Sequence, residues 1–175
     1  MALSEQEIIR REKLQGLRNL GINPYPADLF PVNHTSKQIK ENFEEAKKVI
    51  VAERLMSVID QGKDCFAELQ DSEGRIQLYV NRDVLCEGDD KTLYNQVFKK
   101  LTDLGDFIGV EGELFTTQVG AKCIRVQNFT FLSKTLRPLP LPKVDEDGKV
   151  HDAFNDAELR YRMRYVDLVV NPNVK

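Results

Sequence analysis

Four side chains on two adjacent stretches of the sequence have the chemistry needed to bind single-stranded nucleic acid. Phe66 and Glu68 alternate with apolar residues in one stretch, and Gln77 and Tyr79 do the same in the next. Because successive side chains of a β-strand point to opposite faces, the apolar sides should enter the core and these four should share the outer face. An aromatic ring can stack on an unpaired base, and an amide can hydrogen-bond to its edge. The pattern predicts a base-binding surface, but a phenylalanine packed under a loop and a solvated glutamine fit it too.

The other residue types that carry chemistry form no recognisable catalytic or metal-binding set. The three cysteines are odd in number and widely separated, and His34 and His151 lie close to none of them in sequence. This spacing argues against a zinc site or a disulfide framework, and it predicts that Cys65 and Cys123 are reduced, half-buried thiols. No glycine-rich phosphate loop occurs either. We therefore expect no catalytic activity and no bound metal or cofactor in this chain.

The composition is that of an ordinary folded chain with a mixed surface charge. Of the 175 residues, 41% are apolar and 30% are charged, yet the net charge is only -3. Positive and negative side chains are interspersed, so any nucleic-acid binding must depend on a local surface. No apolar stretch is long enough to span a membrane, and the first residues lack the plan of a secretory signal. These features predict a soluble, cytoplasmic protein with no membrane partner.

Strands are needed to position the four side chains, and the chain becomes rich in branched and aromatic residues from Val49 onward. Five strands and one helix are predicted, in the order 49–59, 64–70, 75–81, the helix 89–104, 107–117 and 122–132. The first strand changes its apolar phase partway, which indicates a bend or bulge. Three strands, a helix and two strands are the order of the five-stranded OB-fold barrel, whereas an immunoglobulin-like sandwich needs about seven strands. We therefore predict an all-β core with helices, built as an OB-fold barrel.

Helices precede the predicted barrel. Ser4 and Glu7 have the spacing of a capping box, and the helix that they begin ends at Gly21. A second helix should start near Thr35 or Ser36, because Ile39, Phe43 and Ala46 recur at helical spacing. The barrel therefore has an N-terminal helical extension.

The segment that follows the barrel changes character twice. Prolines make residues 136–142 extended, the acidic segment 145–148 reads as a loop, and residues 155–169 form a new helix. The predicted organisation is a helical extension over residues 1–48, an OB-fold domain over residues 49–134, and a linker with the start of a further domain over residues 135–175.

Four segments resemble class II lysyl-tRNA synthetases of the bacterial type. Residues 156–168, DAELRYRMRYVDL, are similar to the linker helix that precedes the catalytic domain in that family. Three more segments look like the family in the same order, namely GINPYP at 21–26, GRIQLYV at 74–80 and LRPLP at 136–140. The resemblance covers essentially the whole chain. It implies an N-terminal anticodon-binding region that stops where the catalytic domain begins.

The resemblance also implies roles for individual residues. In this family the central uridine of the anticodon stacks on an aromatic residue of the second strand and is hydrogen-bonded by a glutamine of the third, here Phe66 and Gln77. Arg54 resembles an anticodon contact on the first strand. Asn128 stands where many members have a glutamate, and its amide can still offer a donor or an acceptor. The predicted nucleic-acid-binding set is therefore Phe66, Gln77, Arg54, Asn128, Glu68 and Tyr79.

For a longer protein, the resemblance implies an enzyme. Members of the family join lysine to tRNA(Lys) with ATP and magnesium, and they function as homodimers. Neither a Phe-Arg-x-Glu nor a Gly-x-Gly-x-x-Arg motif of their catalytic domain occurs here. We therefore expect this segment to bind the tRNA(Lys) anticodon loop, to form no lysyl-adenylate by itself, and to act beside a catalytic domain of the same chain. No DNA partner is expected.

Three other functions fit part of the pattern. The anticodon domains of aspartyl- and asparaginyl-tRNA synthetases share the fold and a similar aromatic and glutamine pair, although residues 137–140 and the linker helix favour lysine. A sequence-tolerant single-strand-binding OB protein would use several stacking aromatics, for which Phe66 and Tyr79 are the obvious candidates. An OB module that binds only proteins would be indicated if Phe66→Ala left tRNA affinity unchanged.

Overall fold

Five strands close into a barrel in the computed structural model, which describes residues 2–144, 150–151, 154–171 and 174. The strands are β1 (Lys48–Asp60), β2 (Asp64–Gln70), β3 (Arg75–Asn81), β4 (Phe107–Thr116) and β5 (Lys122–Ser133). Their order around the barrel is β1-β2-β3-β5-β4, and β4 pairs back with β1. Four of these pairings are antiparallel, and that of β3 with β5 is parallel. With a helix between β3 and β4, this confirms the predicted OB-fold barrel.

The barrel core is built from the apolar sides of the strands, as their alternation predicts. In β2 and β3 every second residue is buried, and all of the buried residues are apolar. Leu69 and Leu78 are almost completely enclosed, and each belongs to a single core cluster that includes residues of every barrel strand. The pairing of β1 with β2 shifts its register between Leu55 and Ser57. This confirms the predicted bulge in the first strand.

Two capped helices precede the barrel. Helix α1 (Glu5–Asn19) begins with a capping box, in which the Ser4 hydroxyl accepts from the Glu7 N–H and the Glu7 carboxylate accepts from the Ser4 N–H. Helix α2 (Ser36–Glu41) ends earlier than predicted. Ala46 has a positive φ of 61° and donates its N–H to the Leu114 carbonyl of β4, so it joins the barrel edge.

The helical region between β3 and β4 differs from the prediction of one α-helix over residues 89–104. A short helix α3 (Arg82–Leu85) comes first, capped by the Asn81 side chain, and a π-helix (Leu93–Leu101) follows. The wider π-helical turn buries Tyr94 and Phe98 beside Val97. Leu104, at the end of the predicted helix, lies beyond the observed one and is exposed.

The chain forms two compact units, Met1–Arg137 and Pro138–Lys175. In the second, a short pair of strands, β6 (Lys143–Val144) and β7 (Val150–His151), precedes two helices, α4 (Ala157–Arg162) and α5 (Arg164–Val170). The prediction of one helix over residues 155–169 is wrong, because the backbone leaves the helical conformation at Met163. The predicted acidic loop 145–148 lies outside the described residues. No described helix is long and apolar enough to cross a membrane.

Asp71, in the turn between β2 and β3, holds α2 against the barrel. Its carboxylate is buried and accepts hydrogen bonds from the backbone N–H and the hydroxyl of Ser36, at 2.5 and 2.7 Å, and from the N–H groups of Glu73 and Gly74. Burial acts to raise the pKa of Asp71, but the hydrogen bonds together lower it below its ordinary value. The ionised form is therefore part of the folded state.

Asp71→Asn should lower the free energy of unfolding at pH 7 by about 1–3 kcal/mol, because one amide cannot accept all of these hydrogen bonds. A lowered folded-state pKa contributes stability above the unfolded value of about 3.9, and this contribution is lost as pH falls through the folded pKa. The gap between wild type and variant should therefore shrink below about pH 4. Urea denaturation across this range measures it, with the exposed Asp28→Asn as control. A gap independent of pH would contradict this role.

Candidate nucleic-acid interface

A groove of about 400 Å³ lies on the outer face of the barrel, across the first three strands. Its lining includes Ser57, Ile59, Phe66, Glu68, Gln77 and Lys122. The strand register explains this grouping, because Ser57, Glu68 and Gln77 are successive cross-strand partners from β1 to β3. The structure therefore brings together three of the predicted site residues, Phe66, Glu68 and Gln77, on one solvent-facing surface. We call this surface the groove.

Aromatic rings continue from the groove across the barrel. The Tyr79 ring lies 5.4 Å from that of Phe66 and 5.6 Å from that of Phe115 on β4, measured between ring centroids. The Arg125 guanidinium of β5 lies 4.7 Å above the Phe115 ring. We call Phe66, Tyr79, Phe115 and Arg125 the aromatic ribbon. Strand alternation could have found Phe115, because its neighbour Leu114 belongs to the core.

Tyr79 is held in place by its hydroxyl. The hydroxyl donates to the Asp64 carboxylate at 2.7 Å, and this bond is the main reason why the pKa of Tyr79 is raised. The same interaction, together with one from Asn81, lowers the pKa of Asp64. Tyr79 therefore offers a base its ring rather than its hydroxyl, and its position beside Phe66 orients that ring.

Gln77 presents only one end of its amide to the groove. Its Oε1 accepts a hydrogen bond from the Cys123 thiol at 3.0 Å. Among the described residues, none accepts a hydrogen bond from Gln77 Nε2, and this atom is not among the buried polar atoms without a partner. Gln77 can therefore donate to a bound molecule without breaking a contact within the protein.

Charged side chains of both signs surround the groove. The Glu68 carboxylate pairs with the Arg75 guanidinium at 2.9 Å, and both side chains are more than a third exposed. Lys122 donates to the Lys40 carbonyl and lies 5.1 Å from the centre of the Phe43 ring, so its ammonium is held at the rim. The groove thus has an ion pair between β2 and β3. It also has the Lys122 ammonium at its edge, which can contact a phosphate.

Arg54 lies outside the groove. Its guanidinium donates to the Gly105 carbonyl at 2.9 Å and lies 4.3 Å above the Phe107 ring, and burial lowers its pKa. It faces Gln70 across the β1–β2 pair. The residue of β1 that faces Phe66 is Ile59, which is 59% exposed. An apolar side chain of β1 therefore faces Phe66.

Asn128 also lies outside the groove. It is exposed on β5, opposite Glu111 of β4, and its amide donates to the Glu111 carboxylate at 3.3 Å. The residue that β5 contributes to the groove is Lys122. Sequence reasoning did not identify Lys122, because nothing in the strand pattern separates it from other solvated lysines.

All three cysteines are buried and free, so the prediction that Cys65 and Cys123 are only half-buried is wrong. Cys65 enters the core and contacts the Tyr94 hydroxyl at 3.2 Å. No group of three or more histidine, cysteine, aspartate or glutamate side chains in the described part of the chain could hold a metal ion. The chemistry that the described surface supports is thus stacking and hydrogen bonding.

The sequence of this chain is similar to known proteins that fit this fold. The tRNA anti-codon family model, an OB-fold nucleic acid binding domain, matches residues 49–132. A lysine–tRNA ligase of Christiangramia forsetii is 66% identical over 173 residues, which are 99% of this chain and 30% of that protein. One from Porphyromonas gingivalis is 57% identical over 100% of this chain and 31% of its own length. One from Azobacteroides pseudotrichonymphae is 53% identical over 99% of this chain and 35% of its own.

The chain thus spans about a third of the length of these relatives. The matched domain coincides with the closed barrel that carries the groove and the aromatic ribbon. Residues 49–132 therefore match the OB-fold nucleic acid binding family, and nearly the whole chain is similar to about a third of the lysine–tRNA ligases.

Proposed function

We propose that this chain is the N-terminal, anticodon-binding part of a lysine–tRNA ligase and that the groove binds the anticodon loop of tRNA(Lys). One observation carries the proposal. A solvent-facing phenylalanine and a glutamine with an available amide donor line the same groove, on neighbouring strands of a barrel that matches an OB-fold nucleic acid binding family. The similarity of nearly the whole chain to part of a lysine–tRNA ligase supports the choice of tRNA.

Three residues of the groove have different roles in the proposed complex. Phe66 stacks on the central base of the anticodon, and Gln77 donates its amide hydrogen to an acceptor on the edge of that base. Lys122 contacts the phosphate backbone, which positions the loop without reading it. The contacts that the resemblance implies for Arg54 and Asn128 stay predictions, since both side chains have other partners outside the groove.

For the longer protein we propose the activity that the relatives' name states, ligation of lysine to tRNA. ATP and magnesium would serve a catalytic domain beyond this segment, in a cytoplasmic homodimer. Within the chain, residues 1–48 are the helical extension, residues 49–134 are the anticodon-binding domain, and residues 135–175 lead to the catalytic domain. The segment alone should then support no lysine-dependent exchange of pyrophosphate into ATP.

The aromatic ribbon favours a second candidate, sequence-tolerant binding of unpaired strands. Three rings and a guanidinium in a row offer stacking surfaces that accept any base. The two candidates differ in what they predict for the central base of the loop. A sequence-tolerant protein would bind loops with any central base equally, whereas the anticodon reader would prefer uridine.

The test measures the affinity of the chain for anticodon stem-loops with the sequence UUU and with cytidine at the central position, at one salt concentration. We expect the uridine loop to bind more tightly. Gln77→Ala should narrow this difference about tenfold, the equivalent of roughly 1.4 kcal/mol, because it removes the donor that distinguishes the two bases. Gln15→Ala, which replaces an exposed glutamine of α1 that is not part of the groove lining, is the control. Equal affinity of the wild type for both loops would contradict the proposal and favour sequence-tolerant binding of unpaired strands.

A further inference from the structure

Cys123 lies beneath the groove, directly beside Gln77. The two residues are in register in the parallel pairing of β3 with β5. The next residue, Ile124, belongs to the core, so strand alternation places Cys123 on the outer side of the barrel, where it is nevertheless 0% exposed. Phe115 of β4 is its partner on the other side. The thiol is thus enclosed between the groove residue Gln77 and the aromatic ribbon.

This enclosed thiol acts on Gln77 as a hydrogen-bond donor. Burial raises the pKa of Cys123 to about 11, so the sulfur keeps its proton at neutral pH. Its Sγ lies 3.0 Å from Gln77 Oε1. The opposite orientation of the amide would lose this S–H to oxygen bond and place an N–H group against sulfur, which is a weak acceptor. The carbonyl oxygen of the Gln77 amide is therefore fixed at the Cys123 thiol.

Glu68, the carboxylate beside Gln77, does not accept from its amide among the described contacts. Glu68 is the partner of Gln77 on β2, but its carboxylate is paired with Arg75 at 2.9 Å. Within the part of the chain that the structure describes, nothing accepts from Gln77 Nε2. The end of the amide that carries two donors consequently faces the groove.

We infer that Cys123 is a positioning residue for base recognition, which fixes the Gln77 amide with its N–H groups toward the groove so that Gln77 selects a base with an acceptor edge. Uracil offers a carbonyl oxygen at its 4-position, whereas cytosine offers an amino group there that would face another donor. If the amide were free to turn over, its oxygen could accept from cytosine. The inference deepens the proposed function and rests on it, because it assigns the uridine preference of the groove to a pair of residues.

The test compares wild type with Cys123→Ala and Cys123→Ser for binding to anticodon stem-loops with central uridine or central cytidine. In Cys123→Ala the amide loses its anchor, so affinity for the cytidine loop should rise several-fold, while affinity for the uridine loop falls by no more than about twofold, as for a state that drops to half occupancy. A loss of structure cannot tighten binding of the wrong loop. Cys123→Ser keeps a donor in the same place and should keep the wild-type ratio of affinities.

Two further variants connect the effect to Gln77. When Gln77 is already alanine, Cys123→Ala should leave the ratio of affinities unchanged, since residues that act through one contact are not additive. Cys86→Ala removes another buried thiol and should leave the ratio at its wild-type value. Denaturation midpoints of all variants show whether the barrel is folded.

The outcomes separate this inference from the proposed function. A wild-type ratio in Cys123→Ala, or a reduced ratio in Cys123→Ser, overturns the positioning role while the anticodon site stands. A uridine preference that survives Gln77→Ala overturns Gln77 as the reading residue and this inference with it. A higher affinity of Cys123→Ala for the cytidine loop, absent in Cys123→Ser, supports it.

Discussion

Replacing Phe66 with alanine is expected to weaken binding of a UUU anticodon stem-loop roughly five- to one-hundred-fold, because stacking of one base on an aromatic ring contributes about 1–3 kcal/mol. The loss should be similar whatever base is at the central position, since every base has a face that can stack. Fluorescence anisotropy at a fixed salt concentration measures both affinities. The effect on affinity should thus differ from that of Gln77→Ala, which changes the preference between bases.

The barrel should remain folded in this variant. Phe66 is on the outer face and only partly buried, and its main ring contact is Tyr79, which Asp64 continues to hold. Phe66→Tyr keeps a ring and should bind RNA within a few-fold of wild type. Phe30→Ala removes a partly buried ring that packs over Gly109, away from the groove, and should leave RNA binding unchanged. An unfolded Phe66→Ala, or one with wild-type affinity, would show that the outer face or the stacking residue has been misassigned.

The two strands that carry Phe66 and Gln77 were predictable because alternation of period two leaves little freedom. A shift of one residue would move the whole apolar set of β2 or β3 to the solvent face. The turn at 71–74 fixes which residues of the two strands are partners. The grouping of Phe66, Glu68 and Gln77 therefore follows from the sequence alone, together with the contact of Phe66 with Tyr79.

Period-two alternation does not predict which residues of β1 and β5 line the groove. The bulge between Leu55 and Ser57 adds a residue, so positions before and after it face outward in opposite parity. Arg54 precedes the bulge and Ile59 follows it. They are five residues apart, or about 16 Å along an extended strand. Because of this shift, alternation along β1 does not show which of its outward residues lies beside the groove. Along β5 it likewise does not distinguish Lys122 from Asn128.

The predicted helix boundaries differ from the observed ones for a different reason. The spacing of Leu93, Val97 and Leu101 fits an α-helix, and only contact with the barrel selects the wider turn that buries Tyr94. A π-helix depends on such tertiary packing and has no separate apolar period in sequence. Similarly, nothing local marks Met163 as the break between α4 and α5.

The residue after β5, Lys134, is buried, which composition alone does not predict. Its substitution is expected to change stability more than any other proposed here. The Lys134 side chain is fully enclosed. Its ammonium donates to Asp103 at 2.5 Å, to Asp106 at 2.7 Å and to the Leu101 carbonyl at 2.9 Å. The Asp106 side chain is also fully enclosed, and burial raises its pKa although Lys134 acts in the opposite direction. This cluster joins the end of the π-helix to the last strand of the barrel.

Lys134→Met should lower the free energy of unfolding by about 3–5 kcal/mol, because it leaves the Asp106 carboxylate buried without its cation. Urea denaturation at pH 7 measures the loss. The variant should regain stability as pH falls. Without the ammonium the folded-state pKa of Asp106 rises further above its unfolded value, and a group with a raised folded pKa binds more protons in the folded state, which favours folding at lower pH.

An exposed pair provides the matched control for this substitution. Lys47→Met breaks the ion pair with Glu44 at the surface, where such pairs contribute about 0–1 kcal/mol, so it should change stability little. Combining Lys134→Met with Asp106→Asn removes both charges and should cost less than Lys134→Met alone, because the uncompensated carboxylate is gone. If Lys134→Met and Lys47→Met were equally mild, water or an added proton would have to relieve the charge of Asp106 in the folded protein. The cluster would then contribute no more to the fold than an ordinary surface ion pair.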